Sequence, residues 1–270
     1  MLRTRILTAA VLACILLAGL FLLPPPWAVL AFGMVFTIGA WEWAGFGALG
    51  GPAARIAYAS GVALLLLLAW RWSAEPRHLL LLLRAACAWW VIALLWLSTA
   101  PARHQPMLAL VCGLPVLVPA FIALARLQVA TLSFASGPQI VLWLVLLVIA
   151  ADVGAYFAGR RFGRRKLAPR VSPGKTLEGA LGGIALVSLI AWAGAAYFGL
   201  PQPAVIAFGC TVGIFSIVGD LTESMFKRAA GLKDSGILLP GHGGMLDRID
   251  SVTAAAPLYA LGLFGTGVIT

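Results

Sequence analysis

The stretch from Gly219 to Asp250 interrupts an apolar sequence with four bases and five acids. It carries Asp220, Glu223, Ser224, Lys227 and Arg228, then Lys233-Asp234, then Gly241-His242-Gly243-Gly244-Met245-Leu246-Asp247-Arg248-Ile249-Asp250. On a helix Asp220, Glu223, Ser224 and Lys227 fall at i, i+3, i+4 and i+7, so all four share one face. A second short face carries Asp247, Asp250 and Ser251. Carboxylates from two helix ends, with lysine and arginine among them, suit a magnesium-assisted reaction on phosphates. Mg²⁺ takes a few carboxylates and completes its shell with phosphate oxygens. The competing reading of Asp247 and Asp250 is a helix cap, since a helix N-terminus favours an acid for its dipole alone. Asp220, on a different helix end with cations beside it, weighs against that.

A second polar stretch runs from Arg160 to Thr176 and holds seven of the bases. Gly174-Lys175-Thr176 is not a phosphate loop: that motif needs a glycine five residues before Gly174, where Pro169 stands, and no nucleotide-binding strand precedes it. Two compatible readings remain. The bases bind acidic lipid headgroups and fix topology, and Ser172, Lys175 and Thr176, just before a span, bind phosphate with help from the helix N-terminus. Gly241, Gly243 and Gly244 form a turn around His242 whose backbone N–H groups can approach a ligand, with His242 itself either structural or substrate-binding. The other histidines, His78 and His104, are distant in sequence, which disfavours a histidine-activated serine hydrolase. Cys14, Cys87, Cys112 and Cys210 are isolated in apolar surroundings, so neither a disulfide framework nor a zinc site is expected. Glu42, between Trp41 and Trp43, reads equally as a satisfied structural polar group or as a member of a site.

The elements that must position these residues are membrane helices. Apolar residues make up 62% of the chain, charged residues 10%, and the mean hydropathy is +1.01. A soluble domain carries about 25% charged residues. Spans need about 20 apolar residues each, which places nine of them near 6–23, 27–49, 53–70, 85–99, 106–125, 138–158, 177–199, 203–219 and 251–269. Prolines and glycines at Pro24, Pro52, Pro76, Pro101, Pro138, Pro173 and Pro201 mark the breaks. Arg3 and Arg5 ahead of the first apolar run resemble a secretory signal, but Cys14 lies in mid-stretch and the segment is read as the first span. With nine spans, 15 of the 19 Lys and Arg share the side of the N-terminus and the even-numbered loops. The positive-inside rule makes that side cytoplasmic. The fold expected is therefore an all-α, polytopic integral membrane protein with a cytoplasm-facing polar site. It is a single membrane domain, 1–270, in which an N-terminal helical region, 1–137, precedes a C-terminal catalytic region, 138–270.

The run Ser224-Met225-Phe226-Lys227-Arg228, Lys233-Asp234, Pro240-Gly241-His242-Gly243-Gly244, Met245-Leu246-Asp247-Arg248-Ile249-Asp250 resembles the signature of the phosphatidate cytidylyltransferases, also called CDP-diacylglycerol synthases. Asp152 to Gly159, Phe162-Gly163, Val171 to Gly179 and Trp41-Glu42-Trp43 extend the likeness along the chain, with Leu177 standing where relatives carry Trp or Leu. The resemblance implies transfer of the cytidylyl group of CTP to phosphatidate, giving CDP-diacylglycerol and pyrophosphate, with Mg²⁺ and room for a second cation. It also implies an inner-membrane homodimer with lipid partners and no nucleic acid. On this reading Asp220, Asp247 and Asp250 hold metal, while Lys227, Arg228, Lys233 and Arg248 balance phosphate charge. Ser172, Lys175, Thr176, Ser224, His242, Gly243 and Gly244 contact substrate. Without the resemblance the residues stop at metal-assisted phosphate chemistry at a membrane face. They leave open a transferase for another nucleotide or lipid phosphate, and a transporter with an intramembrane polar site.

Overall fold

The computed structural model describes residues 2–99, 105–238, 241 and 243–266, with the side chains of all but 2–7 and 9. His242 and the last residues of the expected ninth span lie outside the described residues. Among those described, nine α-helices follow one another: α1 (Leu2–Phe21), α2 (Pro25–Trp43), α3 (Pro52–Trp72), α4 (Pro76–Thr99), α5 (Pro106–Val129), α6 (Gly137–Phe162), α7 (Leu177–Phe198), α8 (Gln202–Ala229) and α9 (Leu246–Gly265). Prolines sit in the first turn of α2, α3, α5, α6 and α8. There a missing N–H costs nothing and the fixed φ favours the helix. The same rule starts α4 at Pro76 rather than at 85. α7 begins at a side-chain cap, with Thr176 Oγ1 accepting from the Gly179 N–H, and ends on Gly199 in the left-handed region.

Among the described residues six helices, α3 to α8, are long and apolar enough to cross a membrane by length and composition. Two boundaries matter more for function. α8 continues through Asp220, Glu223 and Lys227 to Ala229 instead of ending near 219, and α9 starts at Leu246 instead of 251. The apolar run stops where the helix turns polar side chains inward, whereas the backbone hydrogen bonds continue. The segment 160–176, expected as a loop, contains a two-stranded antiparallel hairpin, β1 (Lys166–Ala168) and β2 (Ser172–Thr176), paired Lys166 to Thr176 and Ala168 to Ser172. The Glu178 carboxylate accepts from the Arg164 and Arg165 N–H groups and ties the hairpin to the start of α7.

Helix ends alternate between two faces of the bundle. On one face Trp43 Nε1 donates to the Ala109 carbonyl at 2.7 Å, Tyr58 Oη to the Leu110 carbonyl at 2.8 Å, and Trp96 sets its ring edge-on to Phe226. These contacts join the C-terminal ends of α2, α4 and α8 to the N-terminal ends of α3 and α5. On the other face Gln128 donates to the Leu20 carbonyl and Arg126 to the Trp70 carbonyl. α5 is the central helix, with 61% of its apolar window buried inside the protein against 17% for α3. Because lipid is as apolar as a leucine side chain, such packing rests on close van der Waals fit and small residues. α6 and α7 meet along Gly154, Gly182 and Gly183. α8 meets α9 at Gly219, where an added Cβ would lie 2.6 Å from the Asp250 carbonyl oxygen. That close approach places Asp220 of α8 beside Asp250 of α9.

Candidate active site

The charged residues of α8 and α9 form a framework rather than a row of free side chains. Lys227 is 7% exposed and its ammonium lies between Glu223, at 2.9 Å, and Asp247, at 2.6 Å. Glu223 is 3% exposed, and among the described residues no hydrogen-bond donor of good geometry meets its oxygens, so the Lys227 charge is its partner there. The i, i+4 step on α8 supplies one arm of this triad and the first turn of α9 the other. Lys227 is thus placed in an internal ion pair, not at the solvent-facing position expected of a phosphate ligand. Arg228, Lys233 and Arg248 are exposed, with Arg228 also donating to the Leu232 carbonyl.

Asp247 ties Ser235 to Gly244. Its Oδ2 accepts from the Ser235 N–H, the Ser235 hydroxyl and the Gly244 N–H at 2.8 to 2.9 Å, and its Oδ1 takes Lys227. Gly243 adopts a positive φ of 79°, and an added Cβ would come within 2.6 Å of Asp247 Oδ2. The Gly244 N–H expected to face a ligand is spent on Asp247. The glycines are required because carboxylates fill the space a side chain would take.

One of those carboxylates comes from α2. Glu42, 1% exposed, accepts from the Met245 N–H at 3.0 Å, the Leu246 N–H at 2.8 Å and the Ser235 hydroxyl at 3.0 Å. The first N–H groups of α9, which have no acceptor within the helix, are capped by a residue some 200 positions away in sequence. The sequence left Glu42 open between a structural and a site role, and did not single out Ser235. The only signal was an acid inside an apolar span, in the Trp41-Glu42-Trp43 match.

The site also includes a cavity of about 470 Å³ between α6, the hairpin and α8, lined by Asp152, Tyr156, Arg160, Lys175, Thr176 and Asp220 among others. Lys175 forms an ion pair with Asp220, whose other oxygen accepts from Ser224 Oγ at 3.3 Å. Asp152 lies in the field of Asp220, Lys175 and Arg248, so the cavity and the α8–α9 framework share their charges. Thr176 faces the cavity with its hydroxyl engaged as the cap of α7, while Ser172 sits in β2 away from the lining. A larger cavity, about 660 Å³ between α3, α4 and α5, has an apolar lining with no charged residue and offers no chemistry of this kind.

Among the described residues no three His, Cys, Asp or Glu side chains form a ready-made metal cage. The donor set nevertheless suits a magnesium ion that arrives with phosphates, since Mg²⁺ is commonly held by one or two carboxylates plus substrate oxygens. Among the described residues the Asp250 carboxylate accepts only the Ser251 N–H, at 2.6 Å, and Asp220 keeps lone pairs beyond its lysine and serine partners. The clustered acids Asp152, Asp220, Glu223, Asp247 and Asp250 outnumber Lys175, Lys227 and Arg248 around them. An excess of clustered negative charge favours a cation among them.

Residues 3–264 match the cytidylyltransferase family. The chain is 44% identical over 274 residues to a phosphatidate cytidylyltransferase of Pseudomonas aeruginosa, covering 99% of this chain and 98% of the relative. It is 39% identical over 283 residues to a phosphatidate cytidylyltransferase of Haemophilus influenzae, covering 96% and 98%. With one of Synechocystis it shares 45% identity over 128 residues, 47% of this chain and 43% of that one.

Proposed function

The chain belongs to the cytidylyltransferase family, and from that premise we propose how its residues transfer the cytidylyl group of CTP to phosphatidate. The reaction gives CDP-diacylglycerol and pyrophosphate. A phosphatidate oxygen forms a bond to the α-phosphorus of CTP while the bond from that phosphorus to the bridging β-phosphate oxygen breaks. The phosphate monoester already presents an anionic oxygen, so no side-chain base need remove a proton. The obstacle is bringing two polyanions together. The observation that carries the assignment is the meeting of Asp220 and Asp250 at the Gly219 contact, with Lys175 on one side and Lys227 on the other.

Asp220 and Asp250, with Asp247 held beside them by Lys227, are the carboxylates we assign to Mg²⁺. When bound, the ion supplies charge neutralisation at the phosphates of CTP. Arg228, Lys233 and Arg248 draw the nucleotide in and stabilise the departing pyrophosphate. Lys175, at the mouth of the 470 Å³ cavity, holds a substrate phosphate, with Thr176 and Ser224 as neighbouring hydroxyls. Lys227 works from inside, keeping Asp247 and Glu223 together. We place this end of the bundle at the cytoplasmic side of the inner membrane, with all nine helices crossing and the protein acting as a homodimer. The charge asymmetry supports the orientation: 15 of 19 Lys and Arg belong to this side. The purified chain, given phosphatidate, CTP and Mg²⁺, is expected to form labelled lipid product and pyrophosphate in equal amounts. Transport of a solute across liposomes with no CTP consumed would overturn the assignment.

A further inference from the structure

We propose that Glu42 is a positioning residue for the reaction, holding Ser235, Gly236, Gly244 and the first turn of α9 in the arrangement that Asp247 requires. The proposal rests on the functional reading above and adds to it a role for the N-terminal half of the chain.

The geometry has little other purpose. A carboxylate 1% exposed is expensive to bury unless its charge is balanced and its lone pairs are used. Among the described residues no lysine or arginine pairs with Glu42. Its compensation is two backbone N–H hydrogen bonds, a share of the one Ser235 hydroxyl proton that also lies beside Asp247, and the positive end of the α9 dipole, all supplied by the signature segment. The Ser235 hydroxyl lies at 3.0 Å from Glu42 Oε2 and at 2.9 Å from Asp247 Oδ2, linking the two acids through one atom. Gly236 and Gly244 close around the same carboxylate: a Cβ on Gly236 would lie 2.5 Å from Glu42 Oε1, and one on Gly244 would strike Glu42 Oε2. The ring contacts of Trp43 with Phe46 and Phe226 lock the end of α2 against α8, so Glu42 is presented from a rigid element. A displaced loop would carry Asp247 and its partner Lys227 with it, and small misplacements of catalytic groups cost large factors in rate.

Glu42→Gln is close to isosteric but replaces one acceptor with a donor. Oε1 takes the Met245 N–H and Oε2 takes the Leu246 N–H and Ser235, so either amide orientation sets a donor against a donor. The test uses the full-length protein in detergent, comparing wild type, Glu42→Gln, Ser235→Ala and the double variant. Hydrogen exchange of residues 233–248 is followed alongside kcat and the KM values for CTP and phosphatidate. The expectation for Glu42→Gln is a kcat reduced more than tenfold, faster exchange confined to that segment, and a phosphatidate KM within about twofold of wild type. Ser235→Ala should show a smaller loss in the same direction, and the double variant should fall no further than Glu42→Gln alone. Unchanged loop exchange with reduced kcat, or faster exchange with normal kcat, would overturn the proposal. If Glu42→Gln cannot be purified folded, Ser235→Ala carries the test by the same two readouts. The exchange measurement needs no substrate, so it stands apart from any failure of the wild-type reaction.

Discussion

Lys227 is the residue on which the acidic face of α8 and α9 depends. Replacing it with methionine leaves Glu223 and Asp247 facing each other with no cation between them, in a place where both are nearly dry. Breaking a buried ion pair by deleting one partner costs about 3–5 kcal/mol. Lys227→Met should therefore lower the thermal unfolding midpoint in detergent, and adding Glu223→Gln should restore some of the loss. An unchanged midpoint would show that water already screens this triad. Asp220→Asn and Asp250→Asn act on chemistry instead. Each should reduce kcat/KM more than tenfold, equivalent to more than about 1.4 kcal/mol of barrier, raise the magnesium concentration needed for half-maximal rate, and leave the unfolding midpoint near wild type. Near-normal rates at ordinary magnesium in both variants would remove these acids from the metal site. The i, i+3, i+7 spacing of Asp220, Glu223 and Lys227 was legible in the sequence because helical period alone puts them on one face. The bond of Ser235 to Asp247 was not, nor that of Glu42 to Ser235 and the start of α9, because the one comes through a turn and the other through a tertiary contact that no periodicity encodes.

Helix existence was legible at the element scale, since apolar runs and the prolines that open them fix where spans start. The functional ends of α8 and α9 were harder. There the helix carries inward-facing charges that hydropathy reads as a loop, so Asp220 through Lys227 looked like the exit of a span instead of its last turns. The β1–β2 hairpin was missed because its residues are charged and include Pro173, and its order depends on Glu178 accepting from two backbone N–H groups. The contact at Gly219 was likewise silent, a glycine in an apolar helix having no sequence mark for close approach. Gly219→Val should push α9 away from α8 and separate Asp220 from Asp250. The expectation is a loss of activity greater than tenfold, with CTP affinity, read by equilibrium binding in the presence of magnesium, weakened as well. Wild-type affinity in this variant would mean that the two acids do not act on one nucleotide.

On the scale of the whole molecule, one end of the bundle collects the C-terminal ends of α2, α4, α6 and α8, the hairpin and the start of α9, and with them most of the positive charge. On the proposed function, a polyanionic nucleotide would be drawn to that face from solution and a lipid phosphate would reach it from the membrane. Cysteines introduced at Arg170 or Ile237, in a background without the native cysteines, should react with an impermeant reagent only from the cytoplasmic side. Both positions are exposed, so labelling from outside intact cells would reverse the orientation. The central claim is that this single face brings CTP and phosphatidate together for one direct displacement, with no nucleophile supplied by the protein. The stereochemical course at phosphorus tests it most directly. CTP carrying a chiral α-phosphorothioate, turned over by the purified protein, should yield CDP-diacylglycerol with inverted configuration, as one in-line attack demands. Retention would require two displacements through a cytidylyl-protein and would contradict the account.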